Sequence, residues 1–299
     1  MEGRQEQVRW TKTVTGRRDQ GGMAVISCGN LGPFELRAQR HSLMAPKTRQ
    51  GNSSTTPGSE VRSEPADIRP AFFLRTKLLL PRPAPQLLSR SRLTERLFTN
   101  LANPLTLVTA NAGSGKTTLV ADFLRTHDRQ FVWYQLDRTD SDPFVFLGYL
   151  SFGIQQVVPG FGDAMFAYLS ESSAELAQNP ERAVDVLINE VLEQVEQQLI
   201  VVLDDYHHLG LDTPVHAVLD RLLAYLPDVL HVVMISRETP PLALARLRSQ
   251  SASSVIDRSD LLFTDEETQE LFRKVFDLEL TAEQLAEYRE RSGKLLRKT

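Results

Sequence analysis

Several features that would restrict function are scarce or missing in this 299-residue chain. Its one cysteine, Cys28, excludes an internal disulfide and a structural zinc site built from several thiolates. No window approaches the roughly 18 consecutive apolar residues of a membrane-spanning helix. The first residues, MEGRQEQVRW, lack the pattern of a secretory signal. We therefore expect a cytoplasmic protein that does not enter a membrane.

Basic charge is also scarce over most of the chain. Residues 1–70 contain 11 Lys and Arg against 7 Asp and Glu, which leaves 23 basic and 31 acidic residues for the rest. Nucleic-acid binding needs a basic surface, so this acidic body argues against direct nucleic-acid binding.

The first 70 residues also differ from the rest in composition and in sequence pattern. They are rich in Gly, Ser, Thr, Arg and Gln and show neither a helical nor a strand period. With little apolar surface to bury, such a segment does not offset its ordering entropy, so we expect disorder. A solvated leader, translation begun upstream of the natural start and a basic tail for anionic partners remain open interpretations.

From residue 72 onward, strand and helix patterns alternate. Continuous apolar runs predict buried strands at 104–110, 131–136, 199–205 and 229–237. Apolar residues at helical spacing predict helices at 91–102, 117–128, 144–157, 182–198 and 213–226. The alternation predicts an α/β fold in which helices cover both faces of a parallel sheet. We interpret the aromatic residues of the second predicted strand, Trp133 and Tyr134, as packing residues. We interpret the apolar stripe of the helix at 144–157 as core, and it consists of Phe144, Phe146, Leu147 and Leu150.

After residue 260 the pattern becomes purely helical. Thr264 with Glu267, and Thr281 with Gln284, have the spacing of capping boxes, in which two side chains satisfy free amides at a helix start. We therefore predict three units: a leader at 1–70, the α/β domain at 71–255 and a small helical region at 256–299.

A glycine-rich stretch, ANAGSGKTT, follows the first predicted strand and precedes a predicted helix. It satisfies the phosphate-binding pattern GxxxxGK[ST] except at its first position, which is Ala110. Backbone amides from Gly113 to Thr117 would surround phosphate oxygens, Lys116 would reach the terminal phosphates, and the Thr117 hydroxyl would bind Mg²⁺. The predicted nucleotide-binding residues are Ala110, Asn111, Ala112, Gly113, Ser114, Gly115, Lys116, Thr117 and Thr118.

Polar residues also end two other predicted strands. Asp204 ends LIVVLDD, where it can hold Mg²⁺ from a neighbouring strand, and Asp205 can polarise the attacking water. Arg237 ends VVMISR and can stabilise charge on the γ-phosphate. His207 and His208 have no Cys or His partner at ligand spacing, so we interpret them as loop residues. Lys116, Asp205 and Arg237 are the predicted catalytic residues, and Thr117 and Asp204 the predicted metal ligands.

Several motifs together resemble the MalT-like, LuxR-family ATP-binding transcriptional regulators, a branch of the STAND signalling NTPases. In the family's order, they are RTKLLLPRPAPQLLSRSRLTERL, TANAGSGKTTLV, IVVLDDYHHL, MISRETPPLALARLRSQ and DLLFTDEETQELF. The resemblance covers about residues 72–293, and Ala at the first P-loop position looks normal for the family. It implies a P-loop NTPase of the AAA-like (ASCE) class followed by part of a winged-helix-like region. By the match of SRSRL, Arg90 is implied to lie near the nucleotide base.

The same resemblance implies a nucleotide-dependent switch. ADP would hold a resting form, and ATP with an inducer would open it to self-associate and activate transcription. Family members continue into a helical-repeat sensor and a helix-turn-helix output, and they usually have Gly-Trp where this chain has Gly293 and Lys294. We therefore expect a fragment that retains the nucleotide module.

Three functions remain open from the sequence. The first is a slow, Mg²⁺-dependent ATPase acting as a switch. The second is a nucleotide-binding interaction module without significant turnover. The third is a P-loop kinase for a small substrate, against which the paired aspartates and the arginine on a separate strand argue.

Overall fold

The computed structural model describes residues 73–83, 87–171, 179–243 and 253–287. The leader predicted at 1–70 and the departure at Gly293 and Lys294 lie outside these ranges. None of the helices in the described part of the chain combines the length and apolar character needed to cross a bilayer.

Five parallel strands form one sheet. They are β1 (Leu105–Thr109), β2 (Gln130–Gln135), β3 (Leu199–Asp204), β4 (Leu230–Ser236) and β5 (Ser253–Ile256), in the order β2-β3-β4-β1-β5. β3 and β4 are buried along their whole length, as expected for strands covered on both faces. The predicted parallel sheet is therefore confirmed.

The position of β4 corrects one expectation. Asp204 was placed on a strand neighbouring β1, but β4 lies between β1 and β3. Val108 of β1 pairs with Ile235 of β4, and Val202 of β3 pairs with Val233. Strand order depends on long-range pairing, which the apolar runs do not encode. The consequence is that three strand ends meet at one edge, with β4 in the centre.

Helices connect the strands. They are α1 (Ser91–Asn100), α2 (Lys116–Thr126), α3 (Pro143–Gln155), α4 (Asp163–Glu171), α5 (Pro180–Gln194), α6 (Val215–Ala224) and α7 (Asp265–Phe276). Short 3₁₀ turns occupy Arg75–Leu78, Arg138–Ser141 and Tyr206–Leu209, and residues 282–287 are also helical.

Two apolar cores lie on opposite faces of the sheet. Val201 of β3 packs in the core that contains Leu187 of α5, whereas the next residue, Val202, packs in the core that contains Phe123 of α2. Successive side chains of a strand point to opposite faces, so this split follows from the strand geometry. The prediction of helices on both faces is confirmed.

Both predicted capping boxes are present. Thr264 Oγ1 accepts from the Glu267 amide at 3.2 Å, and Glu267 Oε2 accepts from the Thr264 amide at 2.9 Å. Thr281 and Gln284 make the same reciprocal pair. The helical character after residue 260 is therefore confirmed where the structure describes it.

Two elements of the structure, α4 and β5, and the position of one side chain differ from the expectations from sequence. α4 is short and follows two positive-φ glycines, Gly160 and Gly162, and β5 is a four-residue strand that begins with two serines. Neither element has the continuous apolar run that predicts a strand or the apolar spacing that predicts a helix. Phe144, predicted to be core, lies in the first turn of α3 and is 45% exposed, whereas Phe146 in the same turn is fully buried.

Candidate nucleotide-binding site

The loop between β1 and α2 turns at two glycines. Gly113 and Gly115 have φ of 77° and 82°, a left-handed conformation that residues with a side chain seldom adopt. No described atom lies within 4 Å of a Cβ built at either position, so the backbone angle and not space requires glycine. Gly115 is the N-cap of α2, which begins at Lys116. The free backbone amides at the start of α2 form a site that can bind an anion.

Lys116 lies inside the loop. Its Nζ donates to the carbonyl oxygens of Ala110 at 2.6 Å and Asn111 at 3.0 Å, and the residue is buried. Burial lowers the pKa of Lys116, and the positive charge of Arg237 lowers it further. Ser114 Oγ also donates to the Asn111 carbonyl, at 2.8 Å. These hydrogen bonds therefore fix both the position of the Lys116 ammonium and the conformation of the loop.

The other loop residues named from the sequence line the outer side of this turn. Asn111 and Ala112 are exposed, and Thr118 is exposed one position beyond Thr117 on α2.

Thr117 and Asp204 meet across the edge of the sheet. Thr117 Oγ1 donates to Asp204 Oδ1 at 3.1 Å, and the Asp205 amide donates to the same oxygen at 2.9 Å. Asp204 is 1% exposed. Burial, and then the neighbouring charge of Asp205, raise its pKa to about 6. A cation beside this carboxylate would favour its charged form.

These two side chains fit a magnesium ion. Hydroxyl and carboxylate oxygens are the hard ligands that Mg²⁺ prefers, and Mg²⁺ usually takes only one or two protein ligands plus phosphate and water. Among the described residues, no group of three or more His, Cys, Asp or Glu side chains is placed to hold a metal. Mg²⁺ held by Thr117 and Asp204 would therefore depend on phosphate oxygens to complete its shell.

Asp205 has an unusual backbone. Its φ of 58° and ψ of 36° place it in the left-handed region, which is uncommon for a residue other than glycine. Such strained positions concentrate at functional sites. The residue follows β3 directly and begins the turn Tyr206–Leu209.

Arg237 and His207 lie in the same group of charges. Arg237 directly follows β4 and is exposed. His207 Nδ1 is 4.0 Å from the Asp205 carboxylate, and neither of its buried ring nitrogens has a hydrogen-bond partner among the described residues. Burial, followed by the charges of His208 and Arg237, lowers the pKa of His207.

From the sequence, His207 is interpreted as a loop residue because it has no Cys or His partner at metal-ligand spacing. The signal that could have found it is its position two residues after Asp205. A tight turn places that side chain beside the strand end.

Arg90 contacts a different part of the molecule. Its Nη1 donates to the Leu261 carbonyl at 2.8 Å, and its Nη2 donates to the Leu262 carbonyl at 2.8 Å and to Glu267 Oε2 at 2.9 Å. The guanidinium lies 4.4 Å from the Phe263 ring centroid. Its buried Nε has no acceptor among the described residues. The structure thus brings Lys116, Thr117, Asp204, Asp205 and Arg237 together, while Arg90 joins α1 to the start of α7.

Together these features define a class of protein. A glycine loop that opens a helix, a lysine within that loop and paired aspartates two strands away are the parts of a P-loop NTPase. Residues 86–235 match the family described as the AAA ATPase domain, and the chain belongs to that family.

The curated relatives agree with this assignment. The HTH-type transcriptional regulator MalT of Vibrio cholerae is 31% identical over 224 residues, which cover 73% of this chain and 24% of that protein. MalT of Yersinia enterocolitica is 31% identical over 204 residues, which cover 67% of this chain and 22% of that protein. The module is therefore a MalT-like P-loop NTPase, and the chain spans about a quarter of the length of these relatives.

A solved structure shows a weaker likeness. A signal transduction ATPase with numerous domains from Pyrococcus horikoshii, which has a tetratricopeptide repeat sensor, aligns with a TM-score of 0.49 at 16% identity. The alignment covers 71% of this chain and 28% of that one.

Proposed function

We propose that this chain binds ATP with Mg²⁺ and hydrolyses it slowly, as the nucleotide-dependent switch of a transcriptional regulator. The observation that carries the proposal is the approach of Thr117 Oγ1 to Asp204 Oδ1, 3.1 Å apart, beside the glycine loop that holds Lys116. The name of the MalT relatives, HTH-type transcriptional regulator, supports the regulatory role.

The proposed binding step uses the loop and the helix start. Amides from Gly113 to Thr117 donate to phosphate oxygens, and Lys116 exchanges the Ala110 and Asn111 carbonyls for terminal phosphate oxygens. Mg²⁺, when bound, neutralises charge on the phosphates. A contact of Arg90 near the base is part of the proposal, and its Nε has no acceptor among the described residues.

The proposed chemical step is in-line hydrolysis. A water oxygen attacks the γ-phosphorus while the bond to the ADP oxygen breaks, and Asp205 accepts the proton that the water loses. Arg237 stabilises the negative charge that spreads over the γ-phosphate oxygens. ADP and inorganic phosphate are the products.

The regulatory part of the proposal rests on the resemblance to the STAND signalling NTPases. We propose that the ADP form is the resting form, that the ATP form self-associates, and that DNA is not bound by this chain itself. The proposed units are a leader at 1–70, the NTPase at 71–255 and the helical region from 256. The second boundary falls at the end of β5, whose last residue is Ile256.

Phosphate release and ATP·Mg binding test the first part. We expect slow turnover in the wild type, loss of ATP binding in Lys116→Ala, and retained binding with only a low residual rate of turnover in Asp205→Asn. Matched controls are Lys274→Ala on α7 and Asp212→Asn in a loop, both exposed residues. A calorimetric titration with no heat of ATP·Mg binding to folded protein would overturn the proposal.

Two further results separate the remaining possibilities. Tight ATP binding with no phosphate release by the wild type would favour the interaction module over the ATPase. If this chain shifts DNA in a gel at moderate salt, the proposal that it does not itself bind DNA is contradicted. We also propose that sensor and output segments lie outside this chain; finding neither in the three downstream reading frames of the gene would contradict this.

A further inference from the structure

A buried chain of two hydrogen bonds spans the turn that follows Asp205. The Tyr206 hydroxyl lies 2.6 Å from His216 Nδ1, and His216 Nε2 lies 2.9 Å from the Gly210 carbonyl. A carbonyl only accepts, so Nε2 carries a proton, and in the tautomer protonated at Nε2 alone Nδ1 accepts from the Tyr206 hydroxyl. Tyr206 is 2% exposed and His216 8%. We call these two bonds the Tyr206–His216–Gly210 brace.

The brace fixes both ends of one short turn. The turn begins at Asp205, which has φ of 58°, and ends at Gly210, which has φ of 79°. Glycine adopts this angle freely, and aspartate tolerates it better than most side chains, at a cost of at most about 1–2 kcal/mol. A strained residue persists only where its surroundings over-determine it. The brace supplies that restraint, because it joins the residue after Asp205 to α6 and α6 to the end of the turn.

The direction of the Asp205 carboxylate depends on this backbone. The side chain is 31% exposed, and its Oδ1 lies 4.0 Å from His207 Nδ1. The Asp205 carbonyl accepts from the His208 amide at 2.9 Å, inside the same turn. If the turn relaxes toward the usual right-handed region, the carboxylate moves away from the strand end.

We propose that Tyr206 and His216 are positioning residues that hold the Asp205 carboxylate against the water attacking ATP. The inference rests on the proposed ATPase function. Neither residue belongs to the phosphate loop, so ATP·Mg affinity stays within about twofold when the brace is broken. Turnover falls about 10- to 100-fold, because misplacing a catalytic group by about 1 Å has an effect of that size.

The first test is Tyr206→Phe, which keeps the ring and removes only the hydroxyl. Its matched control is Tyr149→Phe, which removes another phenol that accepts from the Leu74 amide at 2.9 Å. We expect the rate of the chemical step to fall in Tyr206→Phe and to stay unchanged in Tyr149→Phe, with the dissociation constant for ATP·Mg unchanged in both. Single-turnover phosphate release and calorimetry measure the two quantities.

The second test asks whether the effect passes through Asp205. In an Asp205→Asn background, adding Tyr206→Phe should cause no further loss of the residual rate. His216→Gln keeps a donor for the Gly210 carbonyl and removes the Nδ1 acceptor, so its rate of phosphate release should match that of Tyr206→Phe. The variant that carries both Tyr206→Phe and His216→Gln should be no slower than either single variant. General destabilisation would instead lower the rate in both backgrounds.

The outcomes separate the two proposals. If the wild type binds ATP and releases no phosphate, the ATPase proposal fails, and the brace as a positioning device fails with it. If the wild type hydrolyses ATP and either Tyr206→Phe stays within twofold of it or Tyr149→Phe loses as much rate, only the brace inference is overturned.

Discussion

At the scale of single residues, burial decides the charge chemistry of the site. Lys116 and Asp204 are both buried, and burial lowers the pKa of the ammonium and raises that of the carboxylate to about 6. Both shifts disfavour the charged form, which is the effect of a low-dielectric environment on an acid and a base alike. A bound polyphosphate and its cation would supply the opposite charges that these two groups face.

A second buried base, His231 on β4, gives a testable pH dependence. The ring donates from Nδ1 to the Asn103 carbonyl, its Nε2 has no partner among the described residues, and burial lowers its pKa to about 4. The unfolded chain, with a histidine pKa near 6.5, binds a proton that the folded protein does not. Stability is therefore complete above about pH 6.5 and falls by about 3 kcal/mol as the pH falls to about 4.

Denaturant unfolding between pH 4 and 7 measures this loss. The variant His231→Asn keeps a donor for the Asn103 carbonyl and does not titrate, so its free energy of unfolding should depend less on pH in this range. Equal slopes for the two proteins would show that His231 does not carry the effect.

At the scale of elements, one carboxylate explains how the missed helix α4 begins. Glu190 on α5 is 2% exposed and accepts from the amides of Gly162 at 2.8 Å, Ala164 at 3.2 Å and Met165 at 3.3 Å. The helix start is thus capped from another helix, and no local capping sequence marks it. A cap 25 residues or more away in the chain escapes a search for N-cap motifs.

Replacing this cap should destabilise the fold. Glu190→Gln keeps the size but loses the negative charge at the helix start and presents a donor to one amide, so we expect a loss of about 1–2 kcal/mol. Urea unfolding measures it, with Glu193→Gln, an exposed residue of the same helix, as the control. A loss no larger than that of the control would mean that the amides find other acceptors.

At the scale of the whole molecule, Arg90 connects the NTPase to the helical region. It contacts the carbonyls of Leu261 and Leu262, the Glu267 carboxylate and the Phe263 ring, all within or just before the start of α7. Glu267 also completes the α7 capping box. The Arg90 guanidinium therefore holds residues 261–267 against α1, and Arg92 and Arg96 add contacts to Asp260 just before them.

We expect Arg90→Lys to loosen this connection, because one ammonium does not reproduce the planar fork of donors. The loss in stability should be about 2 kcal/mol. Hydrogen exchange should rise in residues 261–276, with Arg138→Lys, an exposed residue, as the control. Unchanged exchange there would show that Arg90 does not hold the helical region.

The same variant also tests the predicted contact of Arg90 with the nucleotide base. A weaker ATP affinity in Arg90→Lys, compared with the control, would support that contact. Faster hydrogen exchange in residues 261–276 with unchanged ATP affinity would show that Arg90 contacts the start of α7 and not the nucleotide base.

The sequence by itself determined the features that depend on neighbours along the chain. Glycines at 113 and 115, the lysine after them, the continuous apolar strands and the Thr264–Glu267 box are local, because backbone angles, side-chain period and capping act within a few residues. These features were enough for the P-loop, the parallel sheet and most helices.

Only the tertiary structure decided which distant residues meet. It placed β4 between β1 and β3, brought His207 beside the charges of Arg237 and Lys116, joined Tyr206 to His216, and turned Arg90 toward α7. Each of these contacts forms between segments whose order in space is set by strand pairing and by the packing of two cores. That choice is made by the free energy of the whole fold, and no short stretch of sequence contains it.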